Sequence, residues 1–251
     1  MIQTLSGHTS TVFSLAALPN RQLASGSNDN SIRIWNTEDG TLIRTLNGHS
    51  DFVFSLAALQ NGYLASGSNF NSIKIRNTED GSLIRTLTGH KDFVRSLAVL
   101  SNGFLASGSD DDSIKIWNPE DGSLIRTLTG HSNWVRSLAV LSNGYLASSS
   151  FDKSIKIWNP EDGSLIRTLT GHTDYVKSLA ALPNGFLASG SDDKSIKIWN
   201  PNDGTLIRTL TGHTGAISSL AVLPNGYLAS GSFDNSIRIW NPSEGSLIRT
   251  L

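Results

Sequence analysis

Serine, histidine and aspartate together make a nucleophilic triad, in which a carboxylate orients an imidazole that draws the proton from a hydroxyl. The chain has six histidines, and each follows a glycine: Gly7-His8, Gly48-His49, Gly89-His90, Gly130-His131, Gly171-His172 and Gly212-His213. Consecutive pairs are always 41 residues apart, with no insertion or deletion. A triad needs an exposed nucleophile beside an oxyanion hole, and six near-identical sites suit scaffolding better than catalysis. No histidine remains outside Gly-His to serve as a metal ligand or general base. A fixed period of roughly 20–50 residues marks a solenoid, propeller or array. Residues common to every repeat are therefore expected to be architecture, and function is sought where the repeats differ.

The elements that hold these residues can be read from the third repeat. Val94–Leu100 is apolar and β-competent, and Ser101-Asn102-Gly103 turns it into Phe104–Ser107, a hairpin signal. Gly108–Asp112 is a turn cluster, Ser113–Trp117 alternates with period two, and Asn118–Gly122 is a second turn. Leu124–Leu128 is a fourth strand. Each repeat thus predicts four short antiparallel strands, a, b, c and d, with strand a innermost. Strand d carries Arg44, Arg85, Arg126, Arg167, Arg208 or Arg249, a charge suited to discouraging pairing at an exposed edge. Four-stranded sheets repeated radially are propeller blades, so the expected fold is all-β, a β-propeller of six four-stranded antiparallel blades.

Composition excludes several function classes. A net charge of −1 provides no basic footprint for nucleic acid or for a membrane surface. With no cysteine there is no disulfide framework and no thiolate metal site. No apolar run approaches the ~20 residues of a membrane span, and Met1–Leu5 lacks the features of a signal peptide. A cytoplasmic protein with no cofactor, metal, nucleic-acid partner or membrane association is expected.

Gly-His, Leu-Ala-Ser-Gly-Ser, an aspartate in the next turn and Ile-Lys-Ile-Trp, recurring at fixed spacing, resemble the WD-repeat β-propeller family. The resemblance covers nearly the whole chain. One systematic departure is asparagine after the tryptophan (Asn36, Asn118, Asn159, Asn200, Asn241) in place of the aspartate that names the family. The resemblance implies a hydrogen-bonded tetrad in each blade. Its members are His8, Ser25, Asp29 and Trp35 in the first repeat and His90, Ser107, Asp111 and Trp117 in the third. The later sets are His131, Ser148, Asp152 and Trp158; His172, Ser189, Asp193 and Trp199; and His213, Ser230, Asp234 and Trp240. Such a set satisfies buried polar groups at about 1 kcal/mol net per bond. The second repeat keeps His49 and Ser66 but has Phe70 for aspartate and Arg76 for tryptophan. Joint loss of two members fits a cooperative network, so this blade is expected to be the least stable. Phe70 is read as drift, with an exposed contact as the alternative.

Differences among repeats collect in few columns. Before a nearly fixed valine stand Thr11, Phe52, Phe93, Trp134, Tyr175 and Ala216, and after it Phe13, Phe54, Arg95, Arg136, Lys177 and Ser218. The b–c turn adds Asn28, Asn69, Asp110, Phe151, Asp192 and Phe233. In an up-and-down blade these positions share one rim, and the Asn-Gly and Glu-Asp-Gly turns form the other. Aromatics interspersed with Arg and Lys suit interface cores, and the resemblance implies a face that binds partners. The candidate contact surface is Phe52, Phe54, Phe93, Arg95, Trp134, Arg136, Phe151, Tyr175, Lys177 and Phe233. The expected function is a non-enzymatic scaffold for a protein or peptide partner. The alternatives are a recently amplified or engineered array without a specific ligand and, remotely, an enzyme.

One domain, 1–251, is expected, with blades at 7–47, 48–88, 89–129, 130–170, 171–211 and 212–251. Residues 2–5 repeat strand d and compete with Ile248–Leu251 for one sheet edge. A closed six-bladed monomer is expected in preference to a strand-exchanged oligomer or a fragment of a longer array.

Overall fold

Apolar, β-branched runs of strand length closed by Asn-Gly or Asp-Gly favour hairpins over helices. The computed structural model describes residues 4–68 and 71–251, and all its regular structure is β. Ile2, Gln3, Asn69 and Phe70 lie outside the described residues. The chain divides into two compact units, 1–127 and 128–251.

The first unit holds three sheets. Blade 1 is β1 (Val12–Leu18), β2 (Gln22–Ser27), β3 (Ile32–Asn36) and β4 (Leu42–Leu46). Blade 2 is β5 (Val53–Ala58), β6 (Tyr63–Ser68), β7 (Ser72–Asn77) and β8 (Leu83–Thr88). Blade 3 is β9 (Val94–Val99), β10 (Leu105–Ser109), β11 (Ile114–Trp117) and β12 (Leu124–Leu128), the last of which ends one residue beyond the unit boundary.

The second unit repeats the plan. Blade 4 is β13 (Val135–Val140), β14 (Leu146–Ser150), β15 (Ile155–Trp158) and β16 (Leu165–Leu169). Blade 5 is β17 (Val176–Ala181), β18 (Leu187–Ser191), β19 (Ile196–Trp199) and β20 (Leu206–Leu210). Blade 6 is β21 (Ile217–Val222), β22 (Leu228–Ser232), β23 (Ile237–Asn241) and β24 (Ser246–Thr250). Every sheet is antiparallel with neighbours in chain order, so the fold is a β-propeller of six four-stranded blades.

Strand b is displaced from the expected Phe104–Ser107. Gly108 pairs with Ser96 on one side and Ile114 on the other, while the Phe104 amide is drawn into the turn by Asn102 Oδ1 at 3.1 Å. In blade 6 the outer strand comes from the C-terminal segment, with Ile239 opposite Arg249, and Thr4 and Leu5 form no strand.

Each a–b ladder skips one residue near its start. Val12 pairs with Ser27 and Ser14 with Gly26, so Phe13 is bulged out of register. The same shift occurs at Phe54, Arg95, Arg136, Lys177 and Ser218. A bulge frees a residue from the ladder and re-aims its side chain.

Blades pack by a repeated pair of faces. On blade 2, Ala57, Leu59, Ala65, Ile73, Ile75 and Leu87 form a trailing face that buries Val94, Leu105 and Trp117, the leading face of blade 3. In the second unit, the trailing face Ala180, Leu182, Ala188, Ile196, Ile198 and Leu210 of blade 5 covers Ile217, Leu228 and Trp240 of blade 6. Each fully buried isoleucine or leucine contributes about 1.5–3 kcal/mol.

Strand d shows why its arginine is present. Arg44 Nη2 donates to the Glu79 carbonyl at 2.6 Å and Nη1 to the Asp80 carbonyl at 3.2 Å, both in the c–d turn of blade 2. Arg208 does the same to Glu244 and Ser243 of blade 6 at 2.7 and 2.8 Å. The charge clamps one blade to the next, which corrects the reading that it guards an edge: the guanidinium fork reaches the adjacent turn's carbonyls.

The junctions leave no room at the strand-b glycine. A Cβ at Gly190 would lie 2.5 Å from Ile217 Cγ2 and 2.7 Å from Ser178 Oγ. Gly190→Ala is expected to lose about 1–3 kcal/mol by overpacking, measured as a lower thermal unfolding midpoint, whereas Gly226→Ala meets no atom within 4 Å and loses only about 1 kcal/mol to its left-handed backbone (φ +81°).

Candidate functional site

Two sets of residues carry chemistry: the buried network in each blade, and the variable side chains where strand a begins and strands b and c turn.

In blade 3 the indole Nε1–H of Trp117 on β11 donates to Ser107 Oγ on β10 at 2.8 Å. Ser107 Oγ lies 2.7 Å from His90 Nε2, and His90 Nδ1 lies 2.8 Å from Asp111 Oδ2. With Asp111 ionised, Nδ1 carries the imidazole proton and Nε2 accepts from the serine hydroxyl. The same bonds form among His8, Ser25, Asp29 and Trp35, and among His131, Ser148, Asp152 and Trp158. They recur among His172, Ser189, Asp193 and Trp199, and among His213, Ser230, Asp234 and Trp240.

A fifth member escaped the sequence reading. Ser113 Oγ donates to Asp111 Oδ1 at 2.6 Å, and the Ser113 amide also binds that oxygen. The signal was available as Asp-x-Ser in every blade but the second. Burial works to raise the Asp111 carboxyl, but the bonds from His90, Ser113 and the Lys91 amide outweigh it and hold it well below the usual carboxylate range. The glycine of Gly-His has a role too. Gly89 has φ of +152°, and a Cβ there would stand 3.1 Å from the Trp117 ring.

The connectivity Ser–His–Asp is that of a hydrolytic triad, but Ser107, Ser148, Ser189 and Ser230 are wholly buried. Each already accepts an indole N–H, so the hydroxyl faces no substrate. Among the described residues no group of three or more His, Asp or Glu is placed to hold a metal. No helix among them is long and apolar enough to cross a membrane.

Blade 2 departs as its residues require. His49 Nε2 keeps Ser66 Oγ at 2.7 Å, while its Nδ1 is buried without a partner among the described residues. Arg76, buried where other blades have tryptophan, donates to the Asn47 carbonyl at 2.8 Å and the Gly81 carbonyl at 3.2 Å. Burial, then Lys74 and Arg76, push the His49 pKa down to about 3. Phe70 lies outside the described residues.

The variable residues stack on one another across blades. In the first unit Phe54 meets Phe13 at 5.2 Å, Phe52 edge-on at 5.9 Å and Phe93 at 6.0 Å between ring centroids. Arg95 lies 4.1 Å over Phe54 and 4.9 Å over Phe93, and its Nε donates to buried Asp110 Oδ2 at 2.8 Å. In the second unit Trp134, Phe151 and Tyr175 form a ladder, with Phe151 and Tyr175 parallel within 9° at 4.2 Å. Arg136 lies over Phe151 at 5.1 Å, and Lys177 over Phe233 at 5.1 Å while paired with Asp192 at 2.8 Å. Trp134, Tyr175 and Phe233 are exposed, and the other candidate residues are half-buried. Phe13, Asp110 and Asp192 sit in the same columns and join these contacts although they lie outside the candidate set. At the opposite end, shallow pockets such as that lined by Asn61, Asn102, Gly103, Phe104 and Asn118 consist of repeated turn residues.

A family model described as "WD domain, G-beta repeat" matches residues 1–36, 40–75, 81–118, 122–159, 163–200 and 204–241. No curated protein sequence matches. Among solved structures, the chain is similar to the crystal structure of the WD40 β-propeller domain of Doa1. That match has 30% identity and a TM-score of 0.89, covering 99% of this chain and 84% of that one.

Two outcomes follow from the networks. The middle residue of Asp-x-Ser is left-handed in each of the five blades that have the motif, as is Asn71 in blade 2, and Lys194 (φ +70°) occupies a conformation that asparagine adopts more readily. Lys194→Asn is expected to raise stability by about 1 kcal/mol, read by chemical denaturation. Below pH 6.5 the unfolded chain protonates His49 while the folded blade does so only near pH 3, so stability falls as pH falls across that window, by up to about 1.4 kcal/mol per unit. Amide protection of residues 48–88 is expected to be the lowest and to drop from pH 7 to pH 5, and His49→Gln to flatten that drop. Uniform protection across blades overturns this.

Proposed function

Since the chain belongs to the WD40-repeat family of β-propellers, we propose that it is a non-enzymatic scaffold holding a protein or peptide on the blade ends where its repeats differ. Propellers of this family commonly mediate protein–protein interaction. One observation carries the reading: the repeats keep their ladders, and five of the six keep the network, but they diverge at the bulged residue of strand a and its neighbours, where no ladder bond constrains the residue. The divergent residues are Phe52, Phe54, Phe93 and Arg95 in the first unit. In the second they are Trp134, Arg136, Phe151, Tyr175, Lys177 and Phe233. Aromatic and arginine side chains supply most hot spots, and those stacked beforehand lose little conformational freedom on binding. Burial of the five complete networks supports a role without catalysis, and the near-zero net charge supports a protein partner over nucleic acid or a membrane surface.

The stacking itself favours a second reading, in which these rings only stitch blades together. The two readings separate in the variant carrying Trp134→Ala, Arg136→Ala and Tyr175→Ala. A binding surface predicts that capture of partners falls roughly tenfold to thirtyfold, about 1.4–2 kcal/mol, with a smaller change in unfolding midpoint. Unchanged capture with lowered stability leaves stitching as the role.

A further inference from the structure

Asparagine closes strand c in every repeat, as Asn36, Asn77, Asn118, Asn159, Asn200 and Asn241, where the family is named for aspartate. Turn chemistry does not account for the amide. Asn118 Oδ1 accepts the Glu120 amide at 3.0 Å and Asn241 Oδ1 the Ser243 amide at 3.1 Å, bonds that a carboxylate oxygen accepts equally. The a–b turn repeats the choice. Asn61, Asn102, Asn184 and Asn225 each accept the amide two residues on, at 3.1–3.2 Å, although Asp-Gly closes a hairpin as well as Asn-Gly. Three residues beyond the strand-c asparagine the chain does use aspartate for the same bond, at Asp80 and Asp121.

The two asparagine columns converge, and the aspartate column stays outside. Asn61, Asn102 and Asn118 line a pocket of about 340 Å³ between blades 2 and 3. Asn184, Asn225 and Asn241 line its counterpart of about 180 Å³ between blades 5 and 6. Asn20, Asn61 and Asn77 line another of about 380 Å³ between blades 1 and 2. Each pocket also holds the half-buried aromatic residue that follows the a–b turn, Phe104, Tyr227 or Tyr63. Buried Pro119 and Pro242 add apolar surface to the first two. None of the described lining residues is Lys or Arg, and the pocket between blades 5 and 6 has no carboxylate either.

We propose that these pockets, at the blade ends opposite the variable residues, each bind one neutral sugar ring, a hexopyranose unit of a glycan. Ligand sites combine aromatic and apolar lining with a few polar groups that fix orientation. Here a backbone N–H holds each a–b asparagine by its oxygen, so the Nδ2 group is the part left to donate to a hydroxyl. Asn118 Nδ2 is engaged by Asp121 at 3.0 Å, so the donors in that pocket come from the a–b turns. The aromatic ring and the proline offer apolar surface to the C–H face of the sugar. With no cation in the lining, an anionic ligand finds no counter-charge. Sites repeated with the same residues suit a ligand that repeats its own units, and several weak sites on one chain combine by multivalency. A peptide lacks that repetition, and its main chain is better met by a strand edge.

Proton–nitrogen spectra of the full chain report the asparagine side-chain amides directly during titration with D-glucose, D-galactose, D-mannose or N-acetylglucosamine. At least one of these sugars is expected to shift the Nδ2 signals of Asn61, Asn102, Asn184 and Asn225 together, whereas the uncharged peptide N-acetyl-trialanine amide leaves them in place. Tyr227→Ala is expected to weaken the response at Asn184 roughly tenfold. The unchanged response at Asn61 and Asn102, between other blades, shows that the variant is folded. Asn225→Asp combined with Asn241→Asp keeps both turn oxygens and is expected to weaken the Asn184 response as much. The variant carrying Trp134→Ala, Arg136→Ala and Tyr175→Ala should bind sugar as the parent does, which separates this site from the protein-binding surface. The proposal is overturned if none of the four sugars shifts these signals or if the peptide shifts them equally. It is also overturned if the Asn184 response survives both Tyr227→Ala and the aspartate pair.

Discussion

One buried serine oxygen per blade joins parts of the chain that sequence alone keeps far apart. It accepts the tryptophan N–H from strand c and faces the histidine that precedes strand a, and that histidine reaches the aspartate of the b–c turn. Without a hydroxyl there, a buried indole N–H would lack its acceptor, a cost of about 1–3 kcal/mol. The network also fixes the b–c turn from both sides, since the same aspartate accepts the amide after the histidine and the serine two residues on. Blade 2 shows the dependence by contrast. With arginine in place of tryptophan, the guanidinium turns to the Asn47 and Gly81 carbonyls, and one buried nitrogen of His49 has no partner among the described residues.

Because the network holds the turn, the adjoining bulge can vary. Phe54, Arg95, Arg136 and Lys177 occupy one structural position with three residue types, while the ladders beside them keep the same pairs. Arg95 is anchored by Asp110 and Lys177 by Asp192, so each cation is set against its ring by a carboxylate from the neighbouring turn.

Much of this was legible because the 41-residue period gives each position several independent appearances. Strand number and order, and the membership of the networks, follow from residues that never change. Strand b was misplaced because Phe104 resembles a strand residue by propensity, whereas Asn102 holds its amide in the turn. The role of the strand-d arginine was invisible because its acceptors are main-chain carbonyls of another repeat, 35 and 36 residues away, which no side-chain pattern marks. The mutual stacking of the variable rings was equally hidden, since it depends on a bulge that only pairing register reveals. Ser113 is not marked by Asp-x-Ser alone, because serine is common in turns and only the 2.6 Å bond to Asp111 Oδ1 makes it a member of the network.

The six outer strands all contain Leu-Ile-Arg-Thr-Leu, from Leu42–Leu46 to Leu247–Leu251. Side chains on strand c therefore cannot distinguish their own outer strand from five others. The choice falls to chain connectivity: closing the short c–d turn instead of a loop longer by one repeat saves about 2 kcal/mol of loop entropy. During folding, a wrong but well-formed pairing is only that much less favourable, so kinetic partitioning between correct and shifted blades is built into the uniformity of the repeats. Blade 2, with its arginine, and the first a–b turn, where Arg21 replaces the glycine of later repeats in a left-handed conformation, act as landmarks in an otherwise degenerate text.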